Sequence, residues 1–409
     1  MKGMVINMTI LEAKETVIAA GKRLVESGLI ARTWGNVSCR ISDTHFVITP
    51  SGRDYISLTP EEIVEVAISD CSYSGNIKPS SEKGVHAEVY KLHSDVNFVI
   101  HTHQDYASAV SVLGRDSIPV SKDFSSLQGT VLCADYGLPG TKKLRKGVAK
   151  ALNLSKGSAV IMKNHGALCF SSDYESTFRV ATELEEACQN FIQEEYLHST
   201  PKNEFDPVEL GNFALSRLAK KNITTSTKFS FLPCESERTE YGFKIVLNDK
   251  TYDIHYDKFT ELFASDKELL TEASLHNEIY KKHIDILNIY HSDTPGIECV
   301  SASGLTQQPL LDDFAQIAGT KVHNTPMEPE AVSKALHKAS AVFLHNNGAL
   351  CCAATREDAQ AVAIVTEKNC NALISAALFG KVKYINPLES KLMRFVYLKK
   401  YSKQANHKS

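Results

Sequence analysis

The 10 cysteines of this chain include no C-x-x-C pair, no apolar run reaches membrane-spanning length, and there is no surplus of positive charge. Each absence removes a class of protein. Cysteines scattered through a chain of 409 residues read as small buried hydrophobes, and the adjacent Cys351 and Cys352 read as structural too, so a disulfide scaffold is not expected. A membrane span needs about 18 consecutive apolar residues, and the opening MKGMVINMTI has no continuous apolar core of a secretory signal, so the expectation is a cytoplasmic protein without a membrane partner. A formal net charge of -3 offers nothing to a polyanion, which excludes nucleic acid as the expected partner. Hydrophobic residues make up 43% and charged residues 23%, enough apolar material for globular cores and too little charge for a disordered chain.

What is present is a mixture of helical and strand signals. Thr9 and Glu12 form a capping box, followed by an apolar helical stripe through Ile10, Val17, Leu24 and Leu11, Ile18, Val25, with Gly28 as its stop. Strand-like runs lie at Phe46 to Thr49, Phe98 to His103 and Ala159 to Lys163, and helices are expected from Ser81 to His93 and from Ser172 to Tyr196. The class is therefore α/β or α+β. The polar stretch Ser199 to Phe205, followed by Asp206-Pro207 as a helix start, marks a domain boundary, with 1–200 and 201–409 as the expected units.

The two halves resemble each other. His86-x-Glu88-x-Tyr90-x-x-His93-x-Asp95 returns as His276-x-Glu278-x-Tyr280-x-x-His283-x-Asp285, a displacement of 276 − 86 = 190. At that displacement His101 falls on His291, Asp123-Phe124 on Asp313-Phe314 and Gly129-Thr130 on Gly319-Thr320, while Gly166-Ala-Leu-Cys169 falls on Gly348-Ala-Leu-Cys351 at 348 − 166 = 182. One eight-residue deletion (190 − 182) reconciles the registers, and the chain reads as a fused duplication.

The chemistry concentrates in the first half. His101-Thr-His103 ends an apolar run, and strand residues two apart face the same way, so both imidazoles reach one ion. Lys163-Asn-His165-Gly166 after another strand supplies a third imidazole, and Pro79-Ser-Ser-Glu82 at a helix start supplies a carboxylate. Such donors suit zinc, and equally manganese or cobalt. Gly35-Asn36, Ser51-Gly52 and Ser80-Ser81 offer small side chains, hydroxyls and backbone N–H groups suited to an anion such as phosphate. Each of these taken singly is also a common turn or cap.

Gly35-Asn-Val-Ser38, Thr49-Pro-Ser-Gly52, Pro79-Ser-Ser-Glu82, His101-Thr-His103 and Asn164-His-Gly166, in this order, closely resemble the class II aldolase and adducin family, over roughly residues 8 to 198. The resemblance implies two three-layer α/β/α domains around mostly antiparallel sheets. It implies a metal-dependent lyase that acts through an enediolate on a phosphorylated ketose or related sugar acid. Carried over by position, His101, His103 and His165 are metal ligands, Glu82 is ligand and acid/base, and Thr33, Asn36, Ser51, Gly52, Ser80 and Ser81 contact substrate phosphate. Zinc is the implied ion, and a homo-oligomer is implied, either a tetramer or a dimer imitating one. Other members are epimerases, decarboxylases and dehydratases, and the adducins assemble without catalysis. Retention of all four ligands favours an enzyme over an adducin-like role. Glutamate rather than aspartate at position 82 leans away from the epimerase, whereas the tyrosine that aldolases place near Asp123 is missing.

The remaining polar residues carry plainer readings. His86 and His93 recur in the second half and read as scaffold, Tyr136 as packing, Arg53 as surface, and the C-terminal Lys399 to Ser409 as a mobile tail in which Tyr401 is a minor candidate for a lid. In the second half Glu82, His101, His103 and His165 become Glu272, His291, Asp293 and Asn347, and Ser80-Ser81 become Leu270-Thr271, so this half is expected to be non-catalytic and to stand in for a neighbouring subunit.

Overall fold

The computed structural model describes residues 8–405 except 28, 31–33, 221–222, 224–233, 248–249, 257 and 259–266. Thr33 and Gly28 lie outside the described residues. The chain divides into two compact units, Met1–His198 and Ser199–Ser409.

In the first unit, β1 (Asn36–Arg40), β2 (His45–Ile48), β3 (Val64–Ala67), β4 (Phe98–Thr102), β5 (Ser117–Pro119), β6 (Thr130–Ala134), β7 (Ala159–Met162) and β8 (Gly166–Ser171) form one sheet in the order β3-β2-β1-β4-β8-β7-β6-β5. Neighbours run antiparallel except β6 and β7. Alternation along each strand builds the layers. Phe46, Ile48 and Val99 pack with Val85 and Tyr90 of α2 (Lys83–Leu92) and with Leu144 and Val148 of α4 (Lys142–Leu154). Val47, Phe98 and Ile100 point the other way, onto Val17 and Leu24 of α1 (Ile10–Glu26) and Phe178 of α5 (Tyr174–Ser199). The result is an α/β/α sandwich. Helix α1 starts with the Thr9–Glu12 capping box, but Ile10 and Leu11 remain exposed and its buried stripe begins at Ala13.

The second unit repeats the plan. Strands β9 (Glu235–Arg238), β10 (Gly242–Leu247), β11 (Lys250–His255), β12 (Asn288–Ser292), β13 (Asn324–Thr325), β14 (Ala341–Leu344) and β15 (Ala349–Ala353) take the order β11-β10-β9-β12-β15-β14-β13. Among the described residues this is the first sheet without its last strand, and the parallel pair, β13 with β14, again lies at that end of the sheet. One face packs on Lys267–Lys282 and Pro329–Ala335, the other on Arg356–Leu378.

Side-chain networks are duplicated with the strands. Arg40 donates to the carbonyls of Val96, Tyr90 and His93, and Arg238 donates to those of Ile286, Tyr280 and His283. The Glu185 carboxylate accepts the N–H groups of Tyr106 and Ala107 at the start of the helix Asp105–Ser111, and Glu367 accepts those of Gly296 and Ile297 at the start of Pro295–Ser303. In each case the carboxylate satisfies N–H groups of the first helical turn that have no partner within the helix.

The expected tail is helical over its described part, 399–405, and 406–409 lie outside the described residues. Pro387–Ala405 is a helix, started by Pro387 and anchored where Arg394 donates to the carbonyls of Gln316 and Ile317. Its exposed face carries Leu388, Leu392, Phe395 and Val396, and it is the lysine-rich run from Lys399 to Lys403 that resembles a tail by composition.

Candidate metal centre

Four segments converge at the end of β4. His101 is on β4, and His103 follows directly after the strand ends at Thr102. His165 sits in the turn from β7 to β8, where Asn164 has φ 60°, a left-handed conformation that asparagine tolerates better than most residues. Gly166 follows because nothing larger fits, since a Cβ there would lie 2.2 Å from the Thr102 carbonyl oxygen. Glu82 precedes α2 with φ -99° and ψ 9°, in the sparsely allowed bridge region, and its side chain caps no helix N–H. It turns towards the imidazoles instead.

The Nε2 atoms of His103 and His165 each lie 3.0 Å from Nε2 of His101. Glu82 Oε2 is 3.1 Å from His101 Nε2 and Glu82 Oε1 is 3.0 Å from His165 Nε2. All four side chains are buried, with relative exposures of 7% for Glu82, 0% for His101, 7% for His103 and 3% for His165. Burial opposes ionisation of Glu82, but the neighbouring His165 and His101 rings outweigh it and hold the carboxyl well below its ordinary value.

This arrangement fits a divalent ion. His101 donates Nδ1–H to the Ala167 carbonyl at 2.9 Å, which leaves a single in-plane lone pair on Nε2. One lone pair serves one in-line donor, yet two imidazole nitrogens approach it at 3.0 Å. Glu82 Oε1, though buried, accepts no hydrogen bond among the described residues. Three imidazole nitrogens and a carboxylate oxygen aimed at one point are the donor set of a catalytic zinc-type site. His101, His103 and His165 form one of two clusters of such donors among the described residues.

Behind Glu82 a chain of buried polar groups fixes its orientation. Asn36 Nδ2 donates to Glu82 Oε2 at 3.2 Å, and Asn36 Oδ1 accepts from His86 Nε2 at 2.5 Å. His86 Nδ1 then pairs with Ser38 Oγ at 2.6 Å, and Ser38 Oγ with the Tyr90 hydroxyl at 2.7 Å. Burial, seconded by His101, depresses the His86 ring to about 3, so it is neutral and donates through one nitrogen only. Ser38 and Tyr90 stand in motifs legible in the sequence, but their part in this chain of polar groups is not. The signal that could have found them is Ser38-x-Arg40, which returns as Ser236-x-Arg238 at 236 − 38 = 198, a third register offset by another eight residues.

The residues expected to meet phosphate gather beside this group. A bridge between Pro50 and Pro79 joins the loops that carry Ser51-Gly52 and Ser80-Ser81, flanked by Ser51 N–H to Lys78 O at 2.9 Å and Ser80 N–H to Thr49 O at 3.0 Å. Gly52 has φ 72°. Ser80 is buried and its Oγ accepts the Glu82 N–H at 3.2 Å, whereas Ser81 is exposed. Arg53 pairs with Glu62.

Both halves match one family, the class II aldolase and adducin N-terminal domain, over residues 15–192 and 250–374. The chain belongs to this family. Among its class II aldolase relatives, the 5-deoxy-D-ribulose 1-phosphate aldolase of Bacillus thuringiensis is 31% identical over 215 residues, covering 52% of this chain and 97% of the relative. The 3-oxo-tetronate 4-phosphate decarboxylase of Haemophilus influenzae is 28% identical over 191 residues, covering 45% of this chain and 89% of the relative. A solved L-fuculose 1-phosphate aldolase superposes with a TM-score of 0.44 at 29% identity, covering 49% of this chain and 94% of its own. Among the described residues no helix is long and apolar enough to cross a membrane.

Proposed function

We propose that the chain is a zinc-dependent lyase that cleaves or forms the carbon–carbon bond beside the carbonyl of a phosphorylated ketose or related sugar acid. The observation that carries this reading is the convergence of the His101, His103 and His165 Nε2 atoms with the buried Glu82 carboxylate. A divalent ion held there supplies Lewis-acid stabilisation to negative charge developing on a substrate oxygen. Manganese or cobalt would serve the same donors.

The proton falls to Glu82. Its Oε2 accepts from Asn36 Nδ2, which fixes the orientation of the carboxylate beside the imidazoles. Ser80 accepts the Glu82 N–H, so Ser80 and Ser81 share one turn with the residue that would move the proton, and the Pro50–Pro79 bridge sets the Ser51-Gly52 loop beside it. Ser51, Gly52, Ser80, Ser81, Asn36 and Thr33 are the proposed phosphate contacts. The assembly that goes with this reading is a homo-oligomer, a tetramer or a dimer imitating one, in the cytoplasm. The second unit, which has Asp293 and Asn347 in place of two imidazoles, is assigned no catalysis.

The test is a panel of phosphorylated ketoses and keto acids given to the full-length, metal-analysed protein, with aldehyde, carbon dioxide and isomer formation followed together. Aldehyde release that a chelator abolishes and zinc restores is the expected result. Carbon dioxide or an isomer as the sole product would replace the aldolase reading with a decarboxylase or epimerase. No turnover by metal-loaded protein on any member of the panel would overturn it.

A further inference from the structure

A second cluster of metal-type donors lies in the second unit, and it is not a copy of the first. Cys234 immediately precedes β9, and the N–H of His291 on β12 donates to its carbonyl at 2.7 Å, so the two occupy the rung on which Asn36 faces His101 in the first unit. Glu272 reaches them from the helix Lys267–Lys282. Glu272 Oε1 is 3.0 Å from Cys234 Sγ and 2.7 Å from His291 Nδ1, and one ligand atom from each residue lies within 4.8 Å of the others.

The imidazole is presented the other way round. His101 donates Nδ1–H to a backbone carbonyl and offers Nε2, whereas His291 donates Nε2–H to the Asn347 carbonyl at 2.8 Å and offers Nδ1. A backbone carbonyl behind the ring is the usual means of fixing a ligating histidine's tautomer. The Nδ1 edge of the turned ring points to Glu272, beside the cysteine that replaces Asn36, while its Nε2 edge holds the carbonyl of Asn347, one of the two positions that have lost an imidazole.

Two further observations point to a cation. Glu272 Oε2 is buried and accepts no hydrogen bond among the described residues, an expensive state for a carboxylate oxygen with nothing bound to it. The site is sealed, with exposures of 1% for Cys234, 0% for Glu272 and 3% for His291. A thiolate, a carboxylate and a neutral imidazole carry two negative charges, so one divalent cation makes the buried group neutral, with the thiol proton released to solvent on binding.

We propose that the second unit binds a structural divalent ion of the zinc class through Cys234 Sγ, the Glu272 carboxylate and His291 Nδ1. The sulfur and nitrogen donors select zinc over magnesium or calcium. With all three donors buried, the ion has no face open to a substrate, and the site is structural rather than catalytic. The family's catalytic position has thus been lost in this half and a different site rebuilt one strand away.

Cobalt distinguishes the two centres, because a cysteine thiolate bound to cobalt gives a charge-transfer band in the near ultraviolet and the His101, His103 and His165 group contains no sulfur. Full-length protein is stripped with chelator and reloaded with cobalt alone. The band should appear, persist in His103→Ala and vanish in Cys234→Ser. An unchanged band in Cys234→Ser would overturn the assignment. Should Cys234→Ser not fold, metal counting on His103→Ala decides, since one bound equivalent per chain with the band supports the site. A colourless, metal-free His103→Ala would mean that Cys234, Glu272 and His291 form a hydrogen-bonded ion pair, and the proposal would fall.

Discussion

The His101 and His165 rings lie stacked, 4.8 Å apart and 4° from parallel, with their Nε2 atoms separated by 3.0 Å. His101 Nε2 can accept from one imidazole N–H, and His103 Nε2 stands at the same 3.0 Å, so the two approaches together call for a shared partner. The stacking is imposed from outside, by the Ala167 carbonyl behind His101 and by the left-handed Asn164 ahead of His165.

Removing one imidazole leaves too few donors for tight capture. His103→Ala is therefore expected to bind one equivalent fewer of divalent metal per chain than the parent, and to lose turnover with it. Elemental analysis after dialysis measures this, and unchanged metal content would remove His103 from the ligand set.

Glu82→Gln keeps an oxygen that coordinates but cannot carry the proton. Metal content should be largely retained while kcat falls by a factor on the order of 10² to 10⁴, the usual contribution of a positioned acid/base. Parent-like kcat in a metal-loaded Glu82→Gln protein would exclude this carboxylate from proton transfer.

The two serines should behave differently. Ser81 is exposed, so Ser81→Ala is expected to raise KM for a phosphorylated substrate and leave that of its unphosphorylated analogue unchanged. Ser80 also accepts the Glu82 N–H, so Ser80→Ala should lower kcat as well. Backbone N–H groups persist in both variants, and the loss should be partial. Equal effects of Ser81→Ala on both substrates would remove it from the phosphate site.

Acid should destabilise the first unit through His86, whose ring is depressed from 6.5 to about 3 by burial first and His101 second. Between these values the unfolded chain binds a proton that the folded one refuses, so this contribution to stability is full above the unfolded value and is lost as pH falls, by about 1.4 kcal/mol per pH unit. Urea unfolding from about pH 7 down to about pH 4 should show the slope, and His86→Gln should flatten it. An identical slope in the variant would mean that other groups carry the acid sensitivity.

Much of this protein was legible in its residues alone. The capping box, the apolar run of Phe98 to Ile100 and the two displacements of the repeat are local or periodic, and chemistry expressed every few residues along a chain is readable there. The motifs around Glu82, His101, His103 and His165 were equally readable because each is a short segment placed at a strand end or helix start. The Arg40 and Arg238 clamps, the Ser38–His86–Tyr90 chain and the helical C-terminus were not, since they depend on which backbone carbonyls and helices arrive beside them. Cys234 is the sharpest case. Nothing within its own segment marks it as a ligand, and ten scattered cysteines argued against one. Its meaning comes from pairing with a strand more than fifty residues away, from a helix that delivers Glu272, and from the turn of the His291 ring about its bond to Asn347. Sequence determined which donors exist and that the halves are copies, whereas the side a ring presents, and so the neighbours with which it can share an ion, was decided only by tertiary packing.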